Sequence, residues 1–363
     1  IILKKDETHM DIDEIYYDAV DLLREMVAVP SLSRQEAGVA DVVERAMRRF
    51  GLDVKRHGCN LWSIAPGFDP QKPTVLLNAH IDTVRVADGW QHQPFSPTMD
   101  GDRMYGLGTN DDGASVVSLL TAFRQLSERE QPYNLIFLAS AEEEVSGKGG
   151  IESVLPMLPA ISVALVGEPT GMQPAVAEKG LMVLDGVVRG VAGHAARNEG
   201  VNAIYKAVEV IDTLRTLRLP KESAMLGPVK ITVTKIEAGH QHNVIPDLCT
   251  MLVDVRTTDA YTNMQTLELI RQAVPQCELT PHSTRLNPSG IDTGHPLVQR
   301  AVMLGKEPFG SPTLSDQALM PFPSLKMGPG DSARSHTADE YIELAEIREA
   351  IDTYIIMLDG LTL

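Results

Sequence analysis

The sequence is poor in cysteine and has no long apolar run. Its three cysteines, Cys59, Cys249 and Cys277, are widely spaced and form no CxxC pair, which excludes a disulfide framework and a cysteine-ligated zinc site. No stretch approaches the ~18 uninterrupted apolar residues of a membrane-spanning helix, so we expect no membrane association. The first residues lack the apolar segment of a signal peptide, so we expect a cytoplasmic protein with Met10 as a candidate natural start.

Positive charge is also scarce. Lysine and arginine total 32 against 49 aspartates and glutamates, which gives a net charge of −17. An acidic surface repels nucleic acid, so we expect no nucleic-acid partner, and it would mildly attract cationic substrates. The apolar fraction of 43% is ordinary for a globular protein, and 363 residues are enough for two domains.

The first part of the chain alternates helices with short apolar strands. Apolar strands that alternate with helices indicate a largely parallel sheet covered on both faces. The predicted helices cover residues 12–29, 35–50 and 114–126, and the predicted strands cover 75–77, 135–138 and 163–166.

The pattern changes after Gly180. It predicts strands at 181–191, 229–236 and 251–256 and helices at 201–217 and 261–273, an order typical of a compact α+β unit. Residues 297–305, 325–327 and 341–358 then resume a helix, a strand and a helix. We therefore predict an α/β/α domain formed by residues 1–179 and 291–363, with a ferredoxin-like α+β domain inserted at 180–290.

Imidazole and carboxylate groups follow the predicted apolar strands. In an open α/β sheet, ligands bind beyond the carboxyl ends of the strands, so these groups should meet at one edge. Histidine and carboxylate without cysteine suit zinc, with cobalt or manganese as possible substitutes. Two divalent ions about 3.5–4 Å apart would relieve the repulsion among converging carboxylates. The groups are His80, Asp82, Asp111, Asp112, Glu142, Glu143, Glu144, Glu168 and His336.

The motifs that contain these residues resemble those of the M20 family of metallopeptidases and deacylases, particularly its acetylornithine deacetylase and succinyl-diaminopimelate desuccinylase branch. They run in order through nearly the whole chain. The matching segments are NAHIDTV (78–84), YGLGTNDDGAS (105–115), SAEEEVSG (140–147), VGEPT (166–170), GVAGHAA (190–196), HNVIPD (242–247), VDVRTTD (253–259), TLSDQAL (313–319) and GPGDSARSHTADEYI (328–342).

The resemblance implies a role for each candidate in a site with two Zn²⁺ ions, for which Co²⁺ may substitute. His80 and Glu168 would hold one ion, Glu144 and His336 the other, and Asp111 would bridge them. Asp112 is then the weaker candidate ligand. Asp82 would orient His80. Glu143 would act as the general base that takes a proton from water and passes it to the leaving nitrogen.

The resemblance also implies roles outside the metal ligands. His194 would stabilise the oxyanion in the active site of a second subunit, which implies a homodimer and makes the inserted domain a lid and dimerisation domain. Arg256 and Asn243 would bind the α-carboxylate of the substrate, and the main-chain N–H groups of Gly328 and Gly330 would lie beside it.

The family implies hydrolysis of the amide of an N-acyl amino acid. We expect N-acetylornithine, or a close arginine-pathway analogue, as the small-molecule substrate. Succinyl-diaminopimelate desuccinylase is the first alternative, and a carboxypeptidase or dipeptidase of the same family is the second. A binding protein that has lost catalysis is the alternative of a different class. The complete ligand set and Glu143 oppose it.

Overall fold

The computed structural model describes residues 12–197 and 199–363, so Met10 lies outside the described residues. The chain forms two compact units. The first unit contains the described residues up to Val176, together with Ile291–Phe309 and Met320–Leu363, and the second contains Ala177–Gly290 and Gly310–Leu319.

The helices of the described chain lie close to the predicted ones. Their bounds are α1 Ile12–Val27, α2 Ala37–Arg49, α3 Ala114–Ser127, α4 Ile151–Val154, α5 Ala203–Thr216, α6 Asn263–Ala273, α7 Pro296–Met303 and α8 Leu344–Leu358. None of them is long and apolar enough to cross a membrane.

The strands include every predicted one and several short additions. Their bounds are β1 Lys55–His57, β2 Asn60–Ile64, β3 Thr74–His80, β4 Thr98–Asp100, β5 Arg103–Tyr105, β6 Asn134–Ser140, β7 Val163–Val166, β8 Ala175–Glu178, β9 Gly180–Arg189, β10 Gly193–His194, β11 Lys230–Ala238, β12 Val244–Ile245, β13 Leu248–Thr257, β14 Cys277–Pro281, β15 Ser289–Gly290, β16 Phe309–Ser311, β17 Ser324–Lys326 and β18 Tyr341–Glu343.

The first unit is organised around a sheet whose centre is parallel. The strand order is β1-β2-β6-β3-β7-β17-β8, and the pairs from β6 to β17 are parallel. Strands β1, β2 and β8 add antiparallel pairs at the two sides. Every residue of β3, β6, β7 and β17 is buried, as expected for strands covered on both faces. The predicted parallel sheet is therefore present.

Helix packing completes the core of the first unit. Helix α3 packs against α1 and α8, and Phe123 of α3 and Tyr354 of α8 are fully buried. The Tyr354 hydroxyl donates to the carbonyl of Met327 at 2.7 Å, which satisfies its polar atom inside the core. The carboxyl end of β17 is thereby held where the loop that carries His336 begins.

The second unit has a four-stranded antiparallel sheet in the order β11-β13-β9-β14. Residues of β9 and β13 alternate between buried and more exposed positions, which is typical of a sheet with one covered face. The buried side packs with α5 and α6 in a separate apolar core. Asn202 caps α5 and Thr262 caps α6, so side-chain oxygens satisfy main-chain N–H groups at both helix starts.

Two sequence predictions about element limits need correction. Residues 310–319 belong to the second unit, although the predicted division placed them in the first. In that unit the main chain and hydroxyl of Ser315 both donate to the buried carboxylate of Glu178, at 3.0 and 2.6 Å. The last helix begins at Leu344 rather than Tyr341 because Glu343 and Glu346 form a capping box there. The functions that we predicted for the two units remain predictions.

Candidate active site

His80, the last residue of β3, lies at the centre of the candidate site. Its Nε2 atom is 3.1 Å from Asp111, 3.8 Å from Glu143 and 4.0 Å from Glu168. Its Nδ1 atom is 3.0 Å from the main-chain carbonyl of Asp82 and 3.5 Å from the Asp82 carboxylate. Because Nδ1 has acceptors on the other side of the ring, Nε2 is directed at the carboxylates, as in a metal-binding histidine.

Asp111 presents one carboxylate oxygen to each of the two histidines. Its Oδ1 atom is 3.1 Å from His80 Nε2, and its Oδ2 atom is 3.6 Å from His336 Nε2. His336 Nε2 in turn lies 3.0 Å from Glu144. Asp111 thus lies between the two histidines, with Glu168 4.0 Å from His80 and Glu144 3.0 Å from His336. This is the arrangement that the resemblance implies for two ions and a bridging carboxylate.

Buried carboxylates hold the loop that follows β6. The carboxylate of Asp82 accepts the main-chain N–H groups of Glu143 at 2.9 Å and Glu144 at 3.1 Å. The carboxylate of Glu36 accepts the N–H group of Glu142 at 3.2 Å. These contacts are shorter than that between the Asp82 carboxylate and His80. Asp82 thus positions the loop as well as the histidine ring.

Two further polar residues connect the loops of Asp111 and His336. One oxygen of Glu340 accepts the main-chain N–H groups of Gly108, Asn110 and Asp111 at 3.1, 2.9 and 3.0 Å. The Asn110 side chain reaches back to the loop that contains His336. Sequence analysis missed Glu340 and Asn110. Their only sequence signal is proximity to ligands, since Asn110 precedes Asp111 and Glu340 follows His336 by four residues.

The two histidines compensate the acidic surroundings. The hydrogen bond with Glu144 raises the pKa of His336 to about 9. Burial lowers the pKa of His80, but hydrogen bonds to Asp111 and Asp82 outweigh burial and raise it well above the ordinary value. Burial likewise opposes ionisation of Asp111, and its hydrogen bond with His80 nevertheless lowers its pKa. The carboxylates around both rings thus favour their protonated forms.

The residues present fit divalent metal ions. Candidate ligand atoms of His80, Asp111 and Glu144 lie within 4.8 Å of one another, and those of His80, Glu143 and Glu168 do so as well. The second group includes Glu143, so proximity alone does not distinguish a ligand from a base. His80, Asp111 and Glu168 are each less than 10% exposed. Buried carboxylates this close are stable when cations lie between them.

The two glycines predicted to lie near the substrate are packed against the ligand loops. The main chain of Gly328 passes so close to Glu168 that a Cβ atom would collide with it. The N–H group of Gly328 donates to the Thr170 hydroxyl at 3.1 Å. Gly330 has a positive φ of 84°, and a Cβ there would collide with Asn110. Both positions therefore require glycine for close approach.

The remaining predicted residues lie in the second unit, where His194 and Asn243 are exposed and Arg256 is half-buried. His194 is exposed and accepts the main-chain N–H of Ala196 through Nδ1 at 3.1 Å. Asn243 adjoins it, because its carbonyl accepts the N–H of Ala195 at 3.0 Å. Arg256 makes a two-point ion pair with Asp254, with N–O distances of 3.0 and 3.2 Å. Its guanidinium is thus already bound to a carboxylate of this chain.

Comparisons with known proteins identify the family. Residues 76–359 match the description "Peptidase family M20/M25/M40". The chain is 28% identical to acetylornithine deacetylase from Pectobacterium atrosepticum over 362 residues, covering 91% of this chain and 94% of that protein. It is also 28% identical to succinyl-diaminopimelate desuccinylase from Cereibacter sphaeroides over 272 residues, covering 70% and 72% of the two chains.

Solved structures share the fold. Aminopeptidase PepT from Bacillus cereus superposes with a TM-score of 0.76 at 19% identity, over 94% of this chain and 98% of that one. The Bacillus subtilis protein YXEP, described as a dinuclear metal-binding peptidase of the M20 family, gives 0.73 at 18% identity over 95% and 98%. The predicted mixed α/β fold class is confirmed. The family match covers most of the chain, which therefore belongs to peptidase family M20/M25/M40 and is a hydrolytic enzyme.

Proposed function

We propose that this enzyme hydrolyses the amide bond of N-acyl amino acids, with N-acetylornithine as its substrate. The observation that carries the proposal is the position of Asp111 between His80 and His336, with Glu143 beside His80. This arrangement provides two adjacent metal positions and an additional carboxylate. Together these groups would serve amide hydrolysis, in which water is activated, the carbonyl polarised and the departing nitrogen protonated.

The proposed metal ions are Zn²⁺, with Co²⁺ as a functional substitute, because the donor set combines imidazole and carboxylate without thiolate. His80 and Glu168 would hold one ion, Glu144 and His336 the other, and Asp111 both. When bound, the ions would lower the pKa of water and polarise the substrate carbonyl. Removal of metal by a chelator should abolish activity, and added Zn²⁺ or Co²⁺ should restore it.

Glu143 is the proposed general base. Its main-chain N–H is fixed by Asp82, and its carboxylate lies 3.8 Å from His80. A carboxylate in this position can accept a proton from the attacking water and deliver it to the leaving amine. The neighbouring Glu142 is directed elsewhere, because its carboxylate accepts the N–H of Gly149 at 3.4 Å. Position therefore favours Glu143 over Glu142 as the base.

The net acidic charge of the chain supports an acetylated ornithine over the succinylated alternative. N-acetylornithine carries one carboxylate and one ammonium group, whereas N-succinyl-diaminopimelate carries additional carboxylates. The chain has a net charge of −17, and the metal ions would have to offset several buried carboxylates before the site could accept more anionic groups. For the α-carboxylate, Arg256 and Asn243 remain the proposed ligands, with Gly328 and Gly330 near the metal loops.

We also propose a homodimer in which His194 acts in the active site of the partner. The second unit exposes Val191, Tyr205 and Val208, with 57%, 72% and 58% of their surfaces accessible. Strand β11 pairs with β13 and with no other described strand. Exposed apolar residues and an unpaired strand edge support association with a second copy. The cytoplasmic location expected from the sequence remains a proposal as well.

The decisive experiment compares kcat/KM for matched acetyl and succinyl derivatives of ornithine, citrulline and diaminopimelate, together with dipeptides, on the zinc-reconstituted enzyme. We expect the highest value for N-acetylornithine. A higher value for N-succinyl-diaminopimelate would replace the proposed substrate and keep the reaction. A preference for dipeptides would indicate a dipeptidase instead of a deacylase. Metal content measured on the same preparation would show whether the enzyme had bound zinc.

A further inference from the structure

The Glu340 side chain is buried directly behind Asp111. It is 1% exposed, and one of its carboxylate oxygens accepts the N–H groups of Gly108, Asn110 and Asp111. Asp111 has φ −126° and ψ 93°, which is not helical, so a regular helix cannot satisfy these N–H groups. A single external acceptor therefore fixes the main chain of the loop that carries the proposed bridging ligand.

Asn110 makes the reciprocal connection. Its side chain is fully buried, and its Oδ1 atom accepts the N–H of Asp331 at 3.0 Å. Its Nδ2 atom donates to the Asp331 carbonyl at 3.1 Å and to the Ser335 hydroxyl at 3.2 Å. Each loop thus sends one side chain to the main chain of the other. The contacts bracket His336, with Ser335 before it and Glu340 after it.

These contacts join segments that are remote in sequence. Asn110 and Ser335 are 225 positions apart, so local chain geometry cannot set the distance between Asp111 and His336. In this structure that distance is 3.6 Å between carboxylate oxygen and imidazole nitrogen. A metal site requires ligand atoms at positions fixed to a few tenths of an ångström. The Glu340 and Asn110 contacts are suited to provide this precision.

We infer that Glu340 and Asn110 are positioning residues that set the separation of Asp111 and His336, and thereby the affinity of the site for the metal ion held by His336 and Glu144. The inference rests on the proposed metal site. It assigns neither residue a contact with metal or substrate. Loss of partners that orient metal ligands typically weakens metal binding by about 10–100-fold.

The test compares Glu340→Ala with Asp339→Ala. Asp339 is a matched control because its carboxylate also accepts three contacts, from the N–H groups of Gln91 and His92 and from the His92 ring, at 2.9, 2.9 and 3.0 Å. Its partners, Gln91 and His92, are not proposed metal ligands and do not belong to the loop that carries Asp111. Metal-free proteins are titrated with Zn²⁺ in competition with a chromogenic chelator, without substrate. Glu340→Ala should weaken the binding of one of the two ions by about 10–100-fold. Asp339→Ala should bind Zn²⁺ with the affinities of the wild type.

Two further variants keep the test decisive if Glu340→Ala does not fold. Glu340→Gln retains an accepting oxygen and should bind the ion that Glu340→Ala weakens more tightly than Glu340→Ala does. Asn110→Ala removes the reciprocal contacts and should weaken the binding of the same ion. Wild-type affinities for both ions in folded Glu340→Ala, or in Asn110→Ala, would overturn the inference while leaving the metal site intact. A wild-type protein that binds no Zn²⁺ would overturn the metal site and this inference together.

Discussion

In the first unit most candidate site residues are buried or half-buried and contact one another, although the side chain of His336 is 53% exposed. In the second unit His194 and Asn243 are exposed, and Arg256 is half-buried. His80 is 2% exposed and surrounded by carboxylates. Arg256 has a side-chain exposure of 40% and binds Asp254. The first group is arranged by the chain alone, and the second has an arrangement that substrate or a second copy would alter.

The difference separates two kinds of functional residue. Metal ligands must be in place before the ion arrives, so other side chains hold them, as Asp82 holds the main chain of Glu144, a proposed ligand. A residue that binds substrate must stay accessible, and Arg256, which we propose for that role, is partly exposed and paired with Asp254. Variants in both units test whether this separation is real.

Glu143→Gln should reduce kcat by about 10²–10⁴-fold with metal content unchanged. Glutamine preserves the shape of the side chain but cannot take the proton. Glu142→Gln is the matched control, because Glu142 is adjacent and its carboxylate faces Gly149. Steady-state kinetics and metal analysis of both variants provide the measurement. A normal kcat for Glu143→Gln with a strong loss for Glu142→Gln would reverse the assignment.

His194→Ala should reduce kcat by about 10²-fold or more, the usual effect of losing an oxyanion donor, again with both metals retained. Mixing this variant with Glu143→Gln and allowing subunits to exchange tests action in the partner's site. A mixed dimer would then contain one site with both defects and one with neither, so activity should reappear. Absence of recovery after proven exchange, or a monomer at assay concentration, would contradict the proposal.

Arg256→Lys should raise KM about tenfold, equivalent to about 1.4 kcal/mol of binding, for substrates with a free α-carboxylate. Lysine keeps the charge but loses the two-point geometry that Arg256 makes with Asp254. Substrates with an amidated α-carboxylate serve as the control and should show little change between the two enzymes. If the wild type bound amidated and free substrates equally well, Arg256 would have no role in carboxylate recognition.

Metal binding at pH 7 should release protons from the histidines. The pKa of His336 is raised to about 9 by Glu144, so its imidazole is mostly protonated in the metal-free protein, whereas zinc binds the neutral form. Calorimetric zinc titrations in buffers of different ionisation enthalpy measure the number of protons that are released on binding. The His336→Ala variant should release about one proton fewer than the wild type. Equal release from the variant and the wild type would contradict the raised pKa of His336.

The same shift affects the metal-free fold. The folded pKa of His336 lies above its ordinary value of 6.5, so the stabilisation that it provides is complete below pH 6.5 and is lost as the pH rises through about 9. Thermal unfolding of metal-free protein across this range should show the decline, and His336→Ala should show less of it.

Sequence patterns predicted the elements whose side chains are continuously apolar. Strands β3, β6 and β7 are buried along their whole length, and an uninterrupted apolar run predicts such strands well. Strand β14 was not predicted, because it is only five residues long and includes an exposed glutamate and a proline. The strand β18 was missed for a different reason, since its three residues pair with β5 and merge with the following helix pattern.

The candidate ligands could be predicted because metal chemistry restricts residue types. Glu36, Asn110 and Glu340 could not, because an acceptor for main-chain N–H groups can come from many side chains at any distance in the sequence. The pair between Arg256 and Asp254 was overlooked, although both residues lie on one face of β13 at a spacing of two. That spacing is a usable signal for a paired arginine on a strand.

The position of β17 has a consequence for how the chain folds during synthesis. This strand pairs with β7, and residues 177–290 of the second unit are made between them. Similarly, His336 and Glu144 meet although 192 positions separate them. Such distant pairings carry a large entropic cost and form late. Most of the second unit can therefore fold on the ribosome before Met320–Leu363 of the first unit are made, and the acidic site assembles only after His336 has been translated.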